Sequence, residues 1–284
     1  MRRRRLAAEL RRLRGNNRTG GEVARALGWS PAKISRYELG QGGFPLDEVA
    51  KLLDFYGVTE PRRTQLLDLA ADANARGWWE DYADALTPEY VEFIGLEAEA
   101  YSELHFQVET VPGLLQTREY AWHIHNAVQS TVRTAPGVIE RRVEVRLTRQ
   151  LVLTQRTPPL ELTAIIDESA LLRKVGSRNT MRTQLLHIDK QAELPNVTMR
   201  VLPLQRDSSL MTGSFVIFGF NPQGALGAPL GDVVSTESVA SEVYVEGETD
   251  TYAYRLAFQS LANAALPPDE SRHLVRRIAE QVWV

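Results

Sequence analysis

Between Thr19 and Gly40 the chain reads TGGEVARALGWSPAKISRYELG, and its punctuation leaves room for little besides two short helices and a tight turn. Thr19 followed three residues later by Glu22 is a capping box: the hydroxyl accepts from a first-turn N–H while the carboxylate reaches back to the cap. Val23, Ala24 and Leu27 then share one side of a helix, and Gly28 supplies the left-handed position that ends it. Ser30 caps a second helix with Pro31 at its first position, where the missing N–H costs nothing, and Ile34 and Tyr37 fall three apart on the inner face. Its outward positions, Ala32, Lys33, Ser35 and Arg36, are small or basic. Such a face suits a helix entering a major groove about 12 Å wide to meet base edges and phosphates. An ordinary helical hairpin with a solvated basic face carries the same pattern.

Apolar stripes at helical spacing flank the pair: Leu6, Leu10 and Leu13 ahead of it, and Leu46, Val49, Leu52, Leu53 and Tyr56 behind it. Pro61 is expected to begin a fifth helix with Leu66, Leu67 and Ala70. Charge is polarised along the chain. Residues 1–63 hold 14 Lys/Arg against 7 Asp/Glu, a net +7 in a chain of net −3, so the remainder carries −10. The basic part is drawn to a phosphate backbone with salt-dependent affinity, and the acidic part is repelled from it. Four cations at Arg2–Arg5 oppose a helix macrodipole, which points to a basic arm on phosphate or minor groove, or to a frayed, solvated terminus.

Length admits two domains, and 43 % hydrophobic residues with 24 % charged give enough apolar material for a core. No run approaches the roughly 20 apolar residues of a membrane span, so neither membrane insertion nor export is expected and the cytoplasm is. With no cysteine, disulfides, thiolate zinc sites and cysteine nucleophiles are excluded. His123 and His125 are two apart on an expected helix and face different ways, so neither metal nor cofactor is expected.

A boundary falls near Gly77, giving a helical domain over 1–76, an aromatic joint over 77–86 around Trp78, Trp79 and Tyr82, and a mixed domain over 87–284. In the last, 104–109, 160–166, 197–204, 215–220, 233–236 and 243–246 read as strands among helices. The fold class is therefore an all-α five-helix domain followed by a mixed α+β or α/β domain of open strand order. Three loops combine apolar with polar residues in the manner of a ligand pocket: Val111, Leu114, Leu115 and Gln116; Asp167 and Glu168; Met211 and Phe215. The same loops can equally be three pieces of core, and Asp167 can simply cap the helix that follows it. The arginine row of the long helix can bind an acidic partner, but Arg142, Arg146 and Arg149 also have the spacing of a solvated helix face with Glu144 nearby, which is the reading preferred. No nucleophile elbow, phosphate loop or dinucleotide fingerprint occurs, so no enzyme is expected.

The capped pair resembles the Xre type of helix-turn-helix, whose recognition helix runs from a Ser cap through K-I-S-R to Glu and Gly. Five helices and binding to double-stranded DNA are what the resemblance implies, with Arg18, Thr19, Pro31, Ala32, Lys33, Ser35 and Arg36 as the contacting set. Gly20 and Gly21 stand where that family often has a phosphate-anchoring Gln; their backbone N–H groups offer the generic anion site instead. The second half, through Trp78-Trp79, Tyr90, Gly95–Ala100, Val111–Thr117, Asp167-Glu168, Pro195-Asn196-Val197 and Val201-Leu202-Pro203, resembles the C-terminal domain of unknown function of WhiJ-like actinobacterial regulators. That likeness implies a transcriptional regulator connected with development or secondary metabolism, often encoded beside a small partner protein that antagonises it, and supplies no ligand; the expectation here is a C-terminal domain that senses a small molecule or such a partner, and the need to read two half-sites points to a homodimer. A protein-interaction regulator with conditional DNA binding, and an enzyme fused to a DNA-binding domain, are the alternatives.

Overall fold

Helices form where caps and apolar stripes place them. The computed structural model describes residues 2–127, 135–205, 212–220, 231–237 and 242–284, and these separate into two compact units, one ending at Gly77 and the other beginning at Trp78. The first unit holds α1 (Arg2–Arg14), α2 (Gly20–Leu27), α3 (Pro31–Glu38), α4 (Leu46–Phe55) and α5 (Arg62–Asn74). Their stripes meet in one core of Leu6, Leu10, Val23, Ile34, Phe44, Val49, Leu52, Leu53 and Leu66, all at most 1 % exposed. Burial of one such leucine contributes about 1.5–3 kcal/mol, which dominates these short helices' own propensities.

Two expectations shift. Pro61 is the N-cap of α5 rather than its first residue. Arg2–Arg5 form neither an extended arm nor a frayed end but the first turn of α1. The unfavourable placement of cations there is offset from outside the helix: Arg3 Nε donates to the Ala73 carbonyl in the last turn of α5 at 2.9 Å, where a helix welcomes positive charge. Asn74 completes this corner by accepting from Phe44 N at 2.8 Å and donating to Phe44 O at 2.6 Å.

The second unit opens with a 3-10 helix at Trp78–Tyr82 and α6 (Pro88–Glu99), then alternates β1 (Ser102–Gln107), α7 (Arg118–Ala127), α8 (Pro136–Arg149), β2 (Glu161–Asp167), α9 (Glu168–Leu172), α10 (Arg178–Gln191) and β3 (Val197–Leu202). β4 (Phe215–Gly219), β5 (Val233–Glu237), β6 (Glu242–Val245), α11 (Glu248–Ala264) and α12 (Pro268–Gln281) follow. One six-stranded sheet results, in the order β3-β2-β1-β4-β5-β6. β1, β2 and β3 are parallel, joined by helical crossovers, and β4, β5 and β6 continue antiparallel. Register aligns Leu104 with Ile217, Ile217 with Val234 and Val234 with Val245. That row, with Phe106, Ile165 and Phe215, packs against Phe258 and Leu261 of α11.

The aromatic segment expected to join the domains is packed within the second unit. Trp79 lies 3.7 Å from where a Cβ on Gly95 would sit in α6, ordinary van der Waals distance, so the indole packs on that helix. Arg141 of α8 stacks over Tyr82 with its charge 5.4 Å from the ring centre, and donates to Asp81 O and Asp84 Oδ2, both at 2.6 Å. Arg142 donates to Ala85 O at 2.8 Å.

The expected solvated arginine face of α8 is overturned by Arg149, which is 3 % exposed and forms a forked pair with Glu97 of α6, itself 1 % exposed. Tyr90 OH takes a further guanidinium N–H, and Phe93 lies under the cation at 4.7 Å. Desolvation favours uncharged groups, but the facing carboxylate holds Arg149 charged, well above an ordinary arginine.

Candidate nucleic-acid interface

At the entry of α2 the capping box is complete: Glu22 N donates to Thr19 Oγ1 at 3.2 Å, and Thr19 N donates to Glu22 Oε2 at 2.7 Å. The Thr19 N–H first, and then the Thr19 hydroxyl, which donates to the same oxygen at 3.0 Å, hold the Glu22 carboxyl below its usual range. Gly28, at φ 68°, ends the helix and lets Trp29 N return to Ala24 O at 2.8 Å, which sets the turn. Ser30 occupies the N-cap of α3 with extended backbone, but its side chain makes no capping bond; Pro31 at the first position does the pre-organising.

Ile34 and Tyr37 turn α3 inward, 1 % and 5 % exposed. Pro31, Ala32, Ser35 and Arg36 are exposed, as are Arg18 and Thr19 at the start of α2. Lys33 is the correction in this set. Its ammonium sits 2.6 Å from Glu48 Oε1 of α4 and 4.4 Å from the centre of the Trp29 ring, so the cation is turned onto the domain rather than outward. The same carboxylate accepts from Tyr37 OH. Lys33 first and Tyr37 second hold the Glu48 carboxyl below its ordinary value, while burial and the facing carboxylate raise the Tyr37 phenol. At the other end of α3, Arg14 forks Glu38 at 2.6 and 3.1 Å and Arg11 donates to Glu38 O at 3.0 Å. Helix α3 is thus fastened at both ends, with Arg36 left as its exposed cation.

Sequence reading missed Glu48, Glu38 and Phe55, over whose ring Arg18 lies at 5.2 Å. Glu48 and Phe55 sit on α4, at positions that read as an ordinary amphipathic helix, so no local signal marks them.

Among the described residues the three-loop pocket of the second unit does not assemble. Val111, Leu114 and Leu115 are at most 1 % exposed and Phe215 is 2 % exposed in the core beneath α11; Met211 lies outside the described residues. Gln116 donates to Val111 O at 2.7 Å, Gln184 donates to Leu115 O at 2.7 Å and accepts from Thr117 N at 2.7 Å, and Gln150 donates to Gln116 O at 2.7 Å. Glutamine side chains therefore satisfy a buried loop's backbone, the condition for burying it at all. At the strand ends, Asp167 caps α9 by accepting from Ser169 N at 2.9 Å, and Glu168 accepts from Leu204 N at 2.9 Å. Both carboxylates are engaged by backbone.

Among the described residues no group of three or more His, Asp or Glu could hold a metal ion, and no helix is long and apolar enough to cross a membrane. A comparison with curated proteins finds no match. Residues 5–66 match a helix-turn-helix domain, which gives the first unit the role of a DNA-binding regulator's reading head. Residues 90–277, well over half of the chain, match the domain of unknown function DUF5753, and the chain belongs to that family, with a helix-turn-helix domain ahead of it.

Proposed function

We propose that this protein is a sequence-specific transcriptional regulator of the Xre type that reads DNA as a homodimer, and that its second domain regulates by binding a small molecule or partner protein without covalent chemistry. The observation that carries the reading is α3: fastened by Glu48 at its start and by Arg11 and Arg14 at its end, it leaves Pro31, Ala32, Ser35 and Arg36 exposed on one short helix. A rigid, small-residue helix with one forward cation suits base reading in a major groove, where a directed side chain contributes about 1–3 kcal/mol of discrimination. One such helix reads few base pairs, so two copies on half-sites about 34 Å apart supply useful specificity.

The test is a mobility-shift titration on genomic fragments enriched by the protein. Arg36→Ala is expected to weaken specific binding by about fivefold to a hundredfold and leave non-specific binding close to wild type, whereas Lys33→Ala acts only by loosening α3. Equal loss on specific and random duplexes would remove α3 as the reading helix. A monomer by analytical ultracentrifugation, unchanged by operator DNA, would remove the dimer. Turnover of a metabolite by the second domain would establish an enzyme.

A further inference from the structure

From Trp78 onward the chain carries 18 Lys/Arg against 27 Asp/Glu, yet residues 169–188 hold four cations, Arg173, Lys174, Arg178 and Arg182, and no acid. All four are exposed. Among the described residues none of them meets a carboxylate at ion-pair distance, because the acids nearest in sequence are engaged elsewhere. Asp189 is held by Arg272 and Arg276 at 2.8 and 2.7 Å, Glu193 by Arg272 at 3.0 Å, and Glu168 by Leu204 N. Arg182 makes no hydrogen bond to the described residues, and Arg178 donates to the carbonyl of Val282 at 2.9 Å.

Arg178 and Arg182 line a groove of about 470 Å³ together with Asn179, Glu280, Trp283 and Val284, and Arg173 and Lys174 lie on the segment between α9 and α10. Its walls are fixed. The Trp283 indole donates to Leu171 O at 2.9 Å and the ring is 6 % exposed, so the end of α9, the start of α10 and the turn after α12 are tied together there. Leu172 and Val284 add exposed apolar surface, 36 % and 79 %.

We propose that this groove docks an acidic polypeptide segment carrying a large apolar side chain, the carboxylates meeting Arg173, Lys174, Arg178 and Arg182 and the apolar anchor lying against Trp283 and Val284. Charge complementarity selects the acidic class: the four cations outnumber Glu280, the acid in the groove lining, and a net basic patch on an acidic domain attracts and orients a negative partner. The exposed apolar surface selects polypeptide over nucleic acid: a sugar–phosphate backbone satisfies cations but leaves Val284 and Leu172 unused, while arginine is among the residues enriched at protein-binding hot spots. The inference deepens the reading of the second domain as a binding module, and it is tested apart from DNA.

A random-peptide display library is selected on the immobilised full chain, and recovered peptides are titrated by fluorescence anisotropy against wild type, Arg182→Glu and the Arg178→Glu/Arg182→Glu double variant. Expected are Asp/Glu-rich peptides with a large apolar residue, bound about threefold to tenfold more weakly by Arg182→Glu and more than tenfold more weakly by the double variant, with operator affinity unchanged in both. Arg182 has no hydrogen bond or ion pair to the described residues, so its single variant keeps the test independent of folding. Peptides without acidic bias, or peptides bound equally by wild type and Arg182→Glu, overturn the proposal. So does loss of DNA binding in place of peptide binding, which marks the groove as a nucleic-acid surface. Failure of the operator titration with successful peptide docking would overturn the DNA reading alone.

Discussion

His125 on α7 is expected to make the second domain sensitive to mild acid. Burial first, and then the positive charges of Arg146, Arg142 and Arg149 on α8, lower its pKa from the ordinary 6.5 to about 3, and its Nε2 is buried without a hydrogen-bond partner among the described residues. The unfolded chain protonates this imidazole near pH 6.5 and the folded chain does not, so between about pH 6.5 and 3 the unfolded state binds one more proton. Stability is full above pH 6.5 and falls by about 1.4 kcal/mol per pH unit as acid is added, levelling off below about pH 3. From pH 7 to pH 5 the share of this one group is about 2 kcal/mol, a large part of the usual 5–15 kcal/mol of a domain. His125→Gln keeps a polar, uncharged side chain of similar reach and removes the titration. Urea unfolding followed by tryptophan fluorescence reports mainly the second domain, because four of the five tryptophans lie beyond residue 77. The loss of stability from pH 7 to 5 is expected to be about 2 kcal/mol smaller in the variant than in wild type, the other histidines and the carboxylates being common to both. Parallel pH dependences would refute the assignment and place His125 in contact with water or with a partner for its proton.

Two further perturbations probe the same domain. Glu97→Gln leaves the Arg149 guanidinium buried without its counter-charge and is expected to cost about 3–5 kcal/mol, read as a lowered thermal midpoint; a cost below 1 kcal/mol would mean that water reaches the pair. Gly176→Ala meets both a left-handed backbone, φ 68°, and a Cβ position 2.4 Å from the His123 ring, so it is expected to destabilise by more than the roughly 0.4–1 kcal/mol such a replacement gains at a compatible site; an unchanged urea midpoint would contradict the tight packing of α7 on this loop.

Much of the first domain was legible because its determinants are local. Thr19 with Glu22, Gly28 and Pro31 lie within a few residues of the turns they set, and Leu6, Leu10, Leu52, Leu53 and Leu66 are buried where period 3.6 puts them, whereas Leu13 and Leu27 are half-buried and Leu46, at the first position of α4, is 45 % exposed against expectation. What failed depended on partners far away in sequence. Lys33 reads as outward until Glu48, fifteen residues on, claims it, and Arg149 reads as solvated until Glu97, 52 residues back, takes it inside. Helical spacing records which residues share a face but says nothing about what stands opposite that face.

The pocket expectation failed for a related reason, and the failure narrows where function lies. A loop of apolar residues with a few polar ones is the composition of a binding site, but a buried loop needs polar side chains to satisfy its own backbone, and Gln116, Gln150 and Gln184 are used in that way. Asp167 and Glu168 are likewise taken by backbone N–H groups. Composition cannot separate a polar group turned toward a ligand from one turned toward its own fold; only the partner can. By that criterion the strand ends are structural, and exposed charges without a hydrogen-bond or ion-pair partner among the described residues stand elsewhere, among them Arg36 on the exposed face of α3, Arg182 in the groove beside Trp283, and Arg173 and Lys174 between α9 and α10. Both groups are positive in a chain of net −3, so each domain presents its own surface for a negatively charged partner, DNA for the first and an acidic segment for the second.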